Sequence, residues 1–236
     1  MAGNTGPSLV IDKLLLALDP ANNRSYTGEG TTYIDLAETK TDITLINSPT
    51  FDLSDGGSFE FNGVDNYIDT FYDLSWNNGN DVSIAFWIKP STLSDYRPFL
   101  GKGTNSYEWQ FMQNGSQLRF VYWTQGGGHT NGPIAYIDNV FTDLSWINIA
   151  MAWSSTENRM RFYRNGILIA TYDWTDASLN RETAESVRIG GNIYQWNMGT
   201  GVRYWPGNMS AIHFYSKTLS DNEVLQNYNA LKQRFI

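Results

Sequence analysis

The sequence predicts a single-domain all-β sandwich, and three observations carry that prediction. Short apolar runs alternate with period two, Asn-Gly turns join neighbouring runs, and Gly/Asn loops separate the rest. In RMRFYRNGILIATYDW, Arg159 to Trp174, two such runs flank Asn165-Gly166. A type I′ turn needs positive φ at both central positions, which Asn tolerates and Gly adopts without steric cost. With that turn Tyr163 pairs with Leu168 and Phe162 with Ile169. Met160, Phe162, Ile167 and Ile169 then share one face, and Tyr163, Leu168 and Ala170 the other. Because both faces are apolar, the hairpin belongs in a layered body where even its second face is partly covered.

The remaining elements follow in chain order. Leu14 to Leu18 is too short, and too closely flanked by Asp12 and Asp19, for a signal peptide or a membrane span. A loop rich in Asn, Gly, Ser and Thr leads into the strand-like runs SFEFNG, DVSIAFWIKP, YEWQFMQ, QLRFVYW, WINIAMAWSS, RMRFYRNG, ILIATYDW, SVRIGG and MSAIHFYS. Asn114-Gly115 predicts a second hairpin, between EWQFMQ and QLRFVYW. Trp87 and Trp153 lie on regular strands and are assigned to packing. Near the C-terminus Ser220 and Glu223 have capping-box spacing, and Val224, Leu225, Tyr228 and Leu231 recur at helical intervals, so a short helix is expected to dock on the sandwich edge. No internal repeat or linker is visible, so residues 1–13 read as an N-terminal arm and 14–236 as one domain.

Composition narrows the function. The 236 residues include 9 Trp, 14 Tyr, 12 Phe and 21 Gly with only 17% charged residues, which describes a turn-rich folded chain. The absence of cysteine excludes a disulfide framework, thiol chemistry and Cys-ligated zinc. The net charge of −8 is uneven: residues 1–100 hold 5 Lys/Arg against 14 Asp/Glu, and residues 101–236 hold 11 against 10. No basic patch is present to neutralise phosphates, which argues against nucleic acid and anionic membranes as partners. The sequons at Asn23, Asn114 and Asn208 matter only in a secretory setting and are read as chance.

Glycoside hydrolysis needs two carboxyl groups flanking the scissile bond. Glu60 and Glu108 are lone strand carboxylates, read as solvent-facing. His129 and His213 stand apart from any Ser-Asp or His-x-x-x-His pattern, so neither a triad nor a zinc site has a basis. The chain therefore reads as no enzyme. Its aromatics are more informative, because sugars present C–H faces that stack on Trp and Tyr while their hydroxyls bond Asn, Gln and Asp. Two loops have this composition: Tyr122 and Trp123 lead into one bearing His129 and Asn131, and Tyr194, Trp196, Tyr204 and Trp205 populate the other, from Asn192 to Asn208. These eight are the candidate ligand-binding residues. The alternative is that the rings cover the core or fill an oligomer contact.

Taken in order, SFEFNGVDNYID, DVSIAFWIKP, SWINIAMAWSSTENRMRFYRNGILIA, SVRIGG and GNMSAIHFYSKTLSDNEV resemble a laminin G-like domain of the concanavalin A-like superfamily. The front segment, LLLALDPANNRSYTGEGTTYIDL, resembles stand-alone versions found in bacteriophage virion proteins. The resemblance implies a jelly roll of two antiparallel sheets with a short C-terminal helix, and binding of carbohydrate or protein through loops at one rim. Relatives such as the pentraxins use calcium there. The corresponding loops, near Asn105-Ser106 and Asn192 to Asn197, offer Asn, Gln and Ser where a hard cation would want carboxylates. Asp65 matches an acidic position that could hold a structural calcium, an exposed turn aspartate being the simpler reading. The acidic strings on one strand that mark the superfamily's glucanases are missing. The expectation is thus a non-catalytic, glycan-binding adhesion protein on a phage virion surface, made in the host cytoplasm without a signal peptide and homo-oligomeric. The competing expectation is a structural virion protein, a capsid decoration or fibre subunit, that contacts other virion proteins and binds no sugar.

Overall fold

A computed structural model describes residues 7–37, 42–54, 56–74, 79–93, 96–103, 108–123, 134–174, 184–194 and 202–236. Their strands are β1 (Leu14–Leu18), β2 (Thr32–Ile34), β3 (Asp42–Ile46), β4 (Thr50–Asp52), β5 (Ser58–Asn62), β6 (Tyr67–Asp69), β7 (Val82–Pro90), β8 (Arg97–Lys102), β9 (Trp109–Asn114), β10 (Gln117–Tyr122), β11 (Ile134–Ile137), β12 (Ile147–Ser154), β13 (Arg159–Arg164), β14 (Ile167–Asp173), β15 (Val187–Ile189), β16 (Gly191–Tyr194), β17 (Val202–Tyr204) and β18 (Pro206–Tyr215). The helix α1 (Asp221–Leu231) follows, with one 3₁₀ turn over Lys232–Arg234. The first sheet runs β14-β13-β12-β7-β18-β5-β4, with β1 also on β18; the second runs β11-β10-β9-β8-β15-β6-β3-β2. The fold is the expected antiparallel jelly-roll sandwich with one C-terminal helix.

Alternation decides what lies between the sheets. In β7, Val82, Ile84, Phe86 and Ile88 point inward with β12's Ile147, Ile149, Met151 and Trp153, all buried. Phe111 links the two sheets, its ring 5.6 Å from Phe86, 4.8 Å from Phe120 and 6.5 Å from Phe162. Edge-to-face and tilted contacts of this kind add to the gain from burying the rings.

Both expected hairpins form. Asn165 and Gly166 have φ of 52° and 77°, the signs of a type I′ turn, and Tyr163 pairs with Leu168. The second step of the expected register is corrected, because a bulge puts Phe162 opposite Ala170 and not Ile169. Ala170 and Tyr172 therefore join the core, while Ile167, Leu168 and Ile169 are exposed on an edge strand. In the other hairpin Asn114 pairs with Gln117, so Gly115-Ser116 is the turn, with only Gly115 at positive φ. That matches a turn with glycine at its first central position.

The helix begins on the expected capping box of Ser220 and Glu223. Its docking place differs from the edge position expected. It covers the outer face of the first sheet, because Trp87 points outward from β7 and needs a cover. Phe235 stacks on Trp87 at 4.3 Å and Tyr228 at 5.7 Å. Asp221 accepts a 2.7 Å hydrogen bond from the Tyr163 hydroxyl, so the hairpin's second face is covered at Tyr163 while Leu168 stays exposed. Residues of the N-terminal arm are tied to the same assembly: the Val10 N–H donates to Asn227 Oδ1 at 2.9 Å, and Tyr215 donates to the Val10 carbonyl at 3.2 Å.

His213 lies on β18 between Ala17 of β1 and Ala85 of β7, and is buried. Burial is the main cause pushing its pKa down to about 4; nearby Asp19 opposes the shift and Arg234, bonded to Asp19 at 2.9 Å, adds to it. The unfolded chain, with the ordinary value of 6.5, binds more protons below that pH than the folded one. His213 thus exacts no penalty well above pH 6.5, and stability is lost as pH falls from 6.5 towards 4, by about 3 kcal/mol in all. Urea unfolding of wild type and His213→Gln across that range checks this. The variant should show the shallower loss, and parallel curves would contradict it.

Candidate functional site

The described residues that flank the two expected loops stand at opposite ends of β8. At one end the Trp123 N–H donates to the Glu108 carbonyl at 2.8 Å and the Glu108 N–H to the Lys102 carbonyl at 3.0 Å, so Trp123 stands beside the last residue of β8. At the other end Arg97, the first residue of β8, donates to the Tyr204 carbonyl at 3.2 Å. Five residue steps of strand separate the two, about 17 Å.

The candidates' burial corrects the reading further. Tyr122 and Trp205 are fully buried in the core, and Trp123 is buried with Met112 and Val121 on the outer side of the second sheet. The cause is that β10 keeps its alternation to its end: Leu118, Phe120 and Tyr122 point inward, Arg119, Val121 and Trp123 outward. As placed, none of the three offers a face to a sugar. Tyr204 is half-buried, its ring 6.3 Å from that of Tyr67. Burial, then the nearby Tyr67 and Asp65, raise its hydroxyl pKa. Tyr194 closes β16, but its side chain, like His129, Asn131 and Trp196, lies outside the described residues. Glu60 is exposed as expected, whereas Glu108 is not solvent-facing: it is fully buried against Lys102, Nζ to Oε2 at 2.8 Å.

A different set of side chains converges at the end where β6 finishes and β15 begins. Asp69 and Arg188 are register partners pointing outward from the second sheet. Asp69 Oδ1 accepts from the Phe71 N–H at 3.0 Å and the Ser186 hydroxyl at 2.5 Å. Arg188 Nε stands 3.4 Å from Asp69 Oδ2, its Nη1 donates to the Asn192 carbonyl at 3.2 Å, and its guanidinium lies 5.4 Å from the Tyr67 ring. Phe71 is held at φ 49°, left-handed backbone that a bulky residue rarely adopts, with 59% of its surface exposed. Strain of this sort persists only where surrounding contacts impose it, here the Asp69 carboxylate. Together with Asp73 and Glu185 these residues line a cleft of about 320 Å³.

The cleft continues along the end of the sandwich. Asp73 also lines a neighbouring cleft of about 610 Å³ with Tyr72 and Asn80, and Asp81 links that one to a third, of about 660 Å³, at the start of α1. Burial would raise the Asp81 pKa, but hydrogen bonds from Ser155 and Thr218 outweigh it and hold the carboxyl below its ordinary range. Across the sheet, Arg188 pairs with Gly101 and Gly101 with Gln110. Gln110 is fully buried, and neither of its amide atoms has a hydrogen-bond partner.

Sequence reasoning passes over Phe71, Asp69 and Arg188. The available signal is in YIDTFYD, where an aspartate two residues before an aromatic at a strand end can form an Asx turn that presents the ring. For the metal reading, no grouping of three or more His, Cys, Asp or Glu exists among the described residues. Asp65 Oδ1 accepts from Asn62 Nδ2 at 2.8 Å in an exposed turn. Positions 105–106 and 195–197 lie outside the described residues, while Asn192 takes a left-handed φ of 54°.

Comparison with known proteins assigns the class. Residues 61–225 match the laminin G-type profile of the concanavalin A-like lectin/glucanases superfamily. The chain belongs to that superfamily. No curated protein matches it. Among solved structures it is similar to the binding domain of botulinum neurotoxin DC in complex with rat synaptotagmin II, with a TM-score of 0.69, 13% identity, and coverage of 94% of this chain and 52% of that one. The same binding domain in complex with SialylT gives 0.71, 13%, 94% and 52%. A structure of botulinum neurotoxin type C, described as dependent for cell entry on two ganglioside molecules, gives 0.68, 13%, 94% and 52%. At that identity the likeness is one of fold, and this chain spans about half the length of each neighbour.

Proposed function

We propose that this chain is a non-catalytic glycan-binding module, and that it serves adhesion on a phage virion surface. The observation that carries the glycan reading is the Phe71 ring, exposed in an open cleft beside the Asp69–Arg188 pair. An apolar face for sugar C–H groups and fixed polar groups for hydroxyls are what saccharide recognition needs. The lectin-bearing superfamily and the ganglioside and SialylT named for the fold neighbours support the same reading. The virion setting is supported by the resemblance of residues 14–36 to stand-alone phage proteins. Two features favour binding over hydrolysis. Glu108 is buried in an ion pair, and the Asp81 pKa is shifted opposite to what a general acid requires.

A broad glycan array, run with calcium and again with EDTA, tests the proposal. Selective signal that persists in EDTA is expected, and Phe71→Ala should weaken it by about 1–3 kcal/mol, the range for aromatic stacking on bases. A blank array from folded protein would overturn the reading. One observation favours the structural alternative: Ile167, Leu168 and Ile169 are exposed on edge strand β14, a surface suited to protein contact. A symmetric assembly of defined mass combined with a blank array would support that second reading.

A further inference from the structure

We propose that Arg119, held over the rings of Tyr96 and Tyr136 on the outer face of the second sheet, receives the carboxylate of an acidic saccharide. Arg119 points outward from β10, and Tyr136 is its register partner on β11. The guanidinium carbon lies 4.7 Å from the centre of the Tyr136 ring and 4.8 Å from that of Tyr96. Its Nε donates to Gln117 Oε1, and Gln117 Nε2 donates in turn to Asp138 Oδ1 at 2.6 Å. Three contacts thus fix the group and leave its outer edge open. Among the described residues nothing is hydrogen-bonded to Nη1 or Nη2 or to the hydroxyls of Tyr96 and Tyr136, and no carboxylate forms an ion pair with Arg119. Arg161, Arg188 and Arg234, also half-buried, each face a carboxylate. Arg119 has aromatic faces instead, so its charge is not neutralised by contact.

Tyr96 supplies a second observation. It is held at φ 49°, left-handed backbone that a tyrosine rarely adopts, and packs against the buried Met112, Val121 and Trp123. Strain is therefore stored where it keeps a ring on Arg119. An arginine with its plane stacked and its Nη edge open is pre-organised for a carboxylate, which can accept two parallel N–H bonds from it. The surroundings favour a sugar over an acidic peptide as the carrier. Two phenol hydroxyls flank the guanidinium to bond ring hydroxyls, and Tyr136, 49% exposed, offers apolar surface to C–H groups. The site is separate from the Phe71 cleft: β10 and β6 are four strand spacings apart, about 19 Å across the sheet. The inference does not rest on that cleft binding sugar.

The experiment titrates glucuronate, glucose and N-acetylglutamate against the purified full chain, read by NMR chemical shifts. Glucuronate should bind about tenfold or more tightly than glucose, and added salt should weaken it. Arg119→Gln should bring the two sugars level. Arg119→Lys should not restore the preference, because an ammonium supplies neither the planar fork nor the stack. Phe71→Ala should leave the preference unchanged. Tyr136→Leu, which keeps the charge and removes one ring, should lower glucuronate affinity severalfold, so the proposal stays testable if a change at Arg119 disturbs folding. Equal binding of glucuronate and glucose by wild type, a preference that survives Arg119→Gln, or one lost in Phe71→Ala would overturn the site. N-acetylglutamate bound as tightly as glucuronate would overturn the sugar as carrier.

Discussion

Trp205→Ala is expected to destabilise the protein by about 3–5 kcal/mol, the cost of emptying a fully buried indole site. The ring lies 5.7 Å from Phe99, and its Nε1–H donates to Gln113 Oε1 at 2.7 Å. Packing is close enough that a methyl on Gly207 would meet the ring at 2.3 Å. Trp205→Phe should cost less, about 1–3 kcal/mol, because it keeps most of the packing and orphans the Gln113 oxygen. Urea midpoints measure both. A Trp205→Ala protein of wild-type stability would place the ring outside the core and restore it as a binding candidate.

The second large effect is expected at Lys102. Its ammonium and the Glu108 carboxylate are both fully buried at 2.8 Å, and Lys102 also bonds Asp73. Lys102→Met leaves the Glu108 charge without this partner in a site water does not reach, at a cost of about 3–5 kcal/mol. Adding Glu108→Gln removes that charge, so the double variant should regain more than half of the loss. Equal stability of the single and double variants would show that the pair carries no such coupling.

Much of the fold was legible because local chemistry and global packing agree. The Asn165-Gly166 turn, the Ser220–Glu223 capping box and the inward alternation of SIAFWIK each need only a short stretch of chain to be read. What escaped depends on the third dimension. The bulge that shifts Phe162 from Ile169 to Ala170 has no mark in the residues themselves. The helix lies over Trp87 and not on an edge because one outward tryptophan needed cover, a demand visible only once the strand faces are known. In the candidate site, loop composition misled for the same reason. Tyr122, Trp123 and Trp205 stand beside Gly/Asn loops in sequence, yet strand alternation or the sheet junction buries each of them. Glu108 looked like a solvent-facing carboxylate because its partner, Lys102, comes from the neighbouring strand. Phe71 was overlooked because its exposure follows from a left-handed backbone imposed by Asp69.

The central claim is that binding occurs at the Phe71 end of the sandwich and not at the Tyr204 end. Titrating the strongest-binding glycan from the array against wild type, Phe71→Ala and Tyr204→Ala by calorimetry tests it most directly. The account predicts a loss of about 1–3 kcal/mol for Phe71→Ala and wild-type affinity for Tyr204→Ala. Weakened binding by Tyr204→Ala, with Phe71→Ala unchanged, would contradict it and move the site to the opposite end.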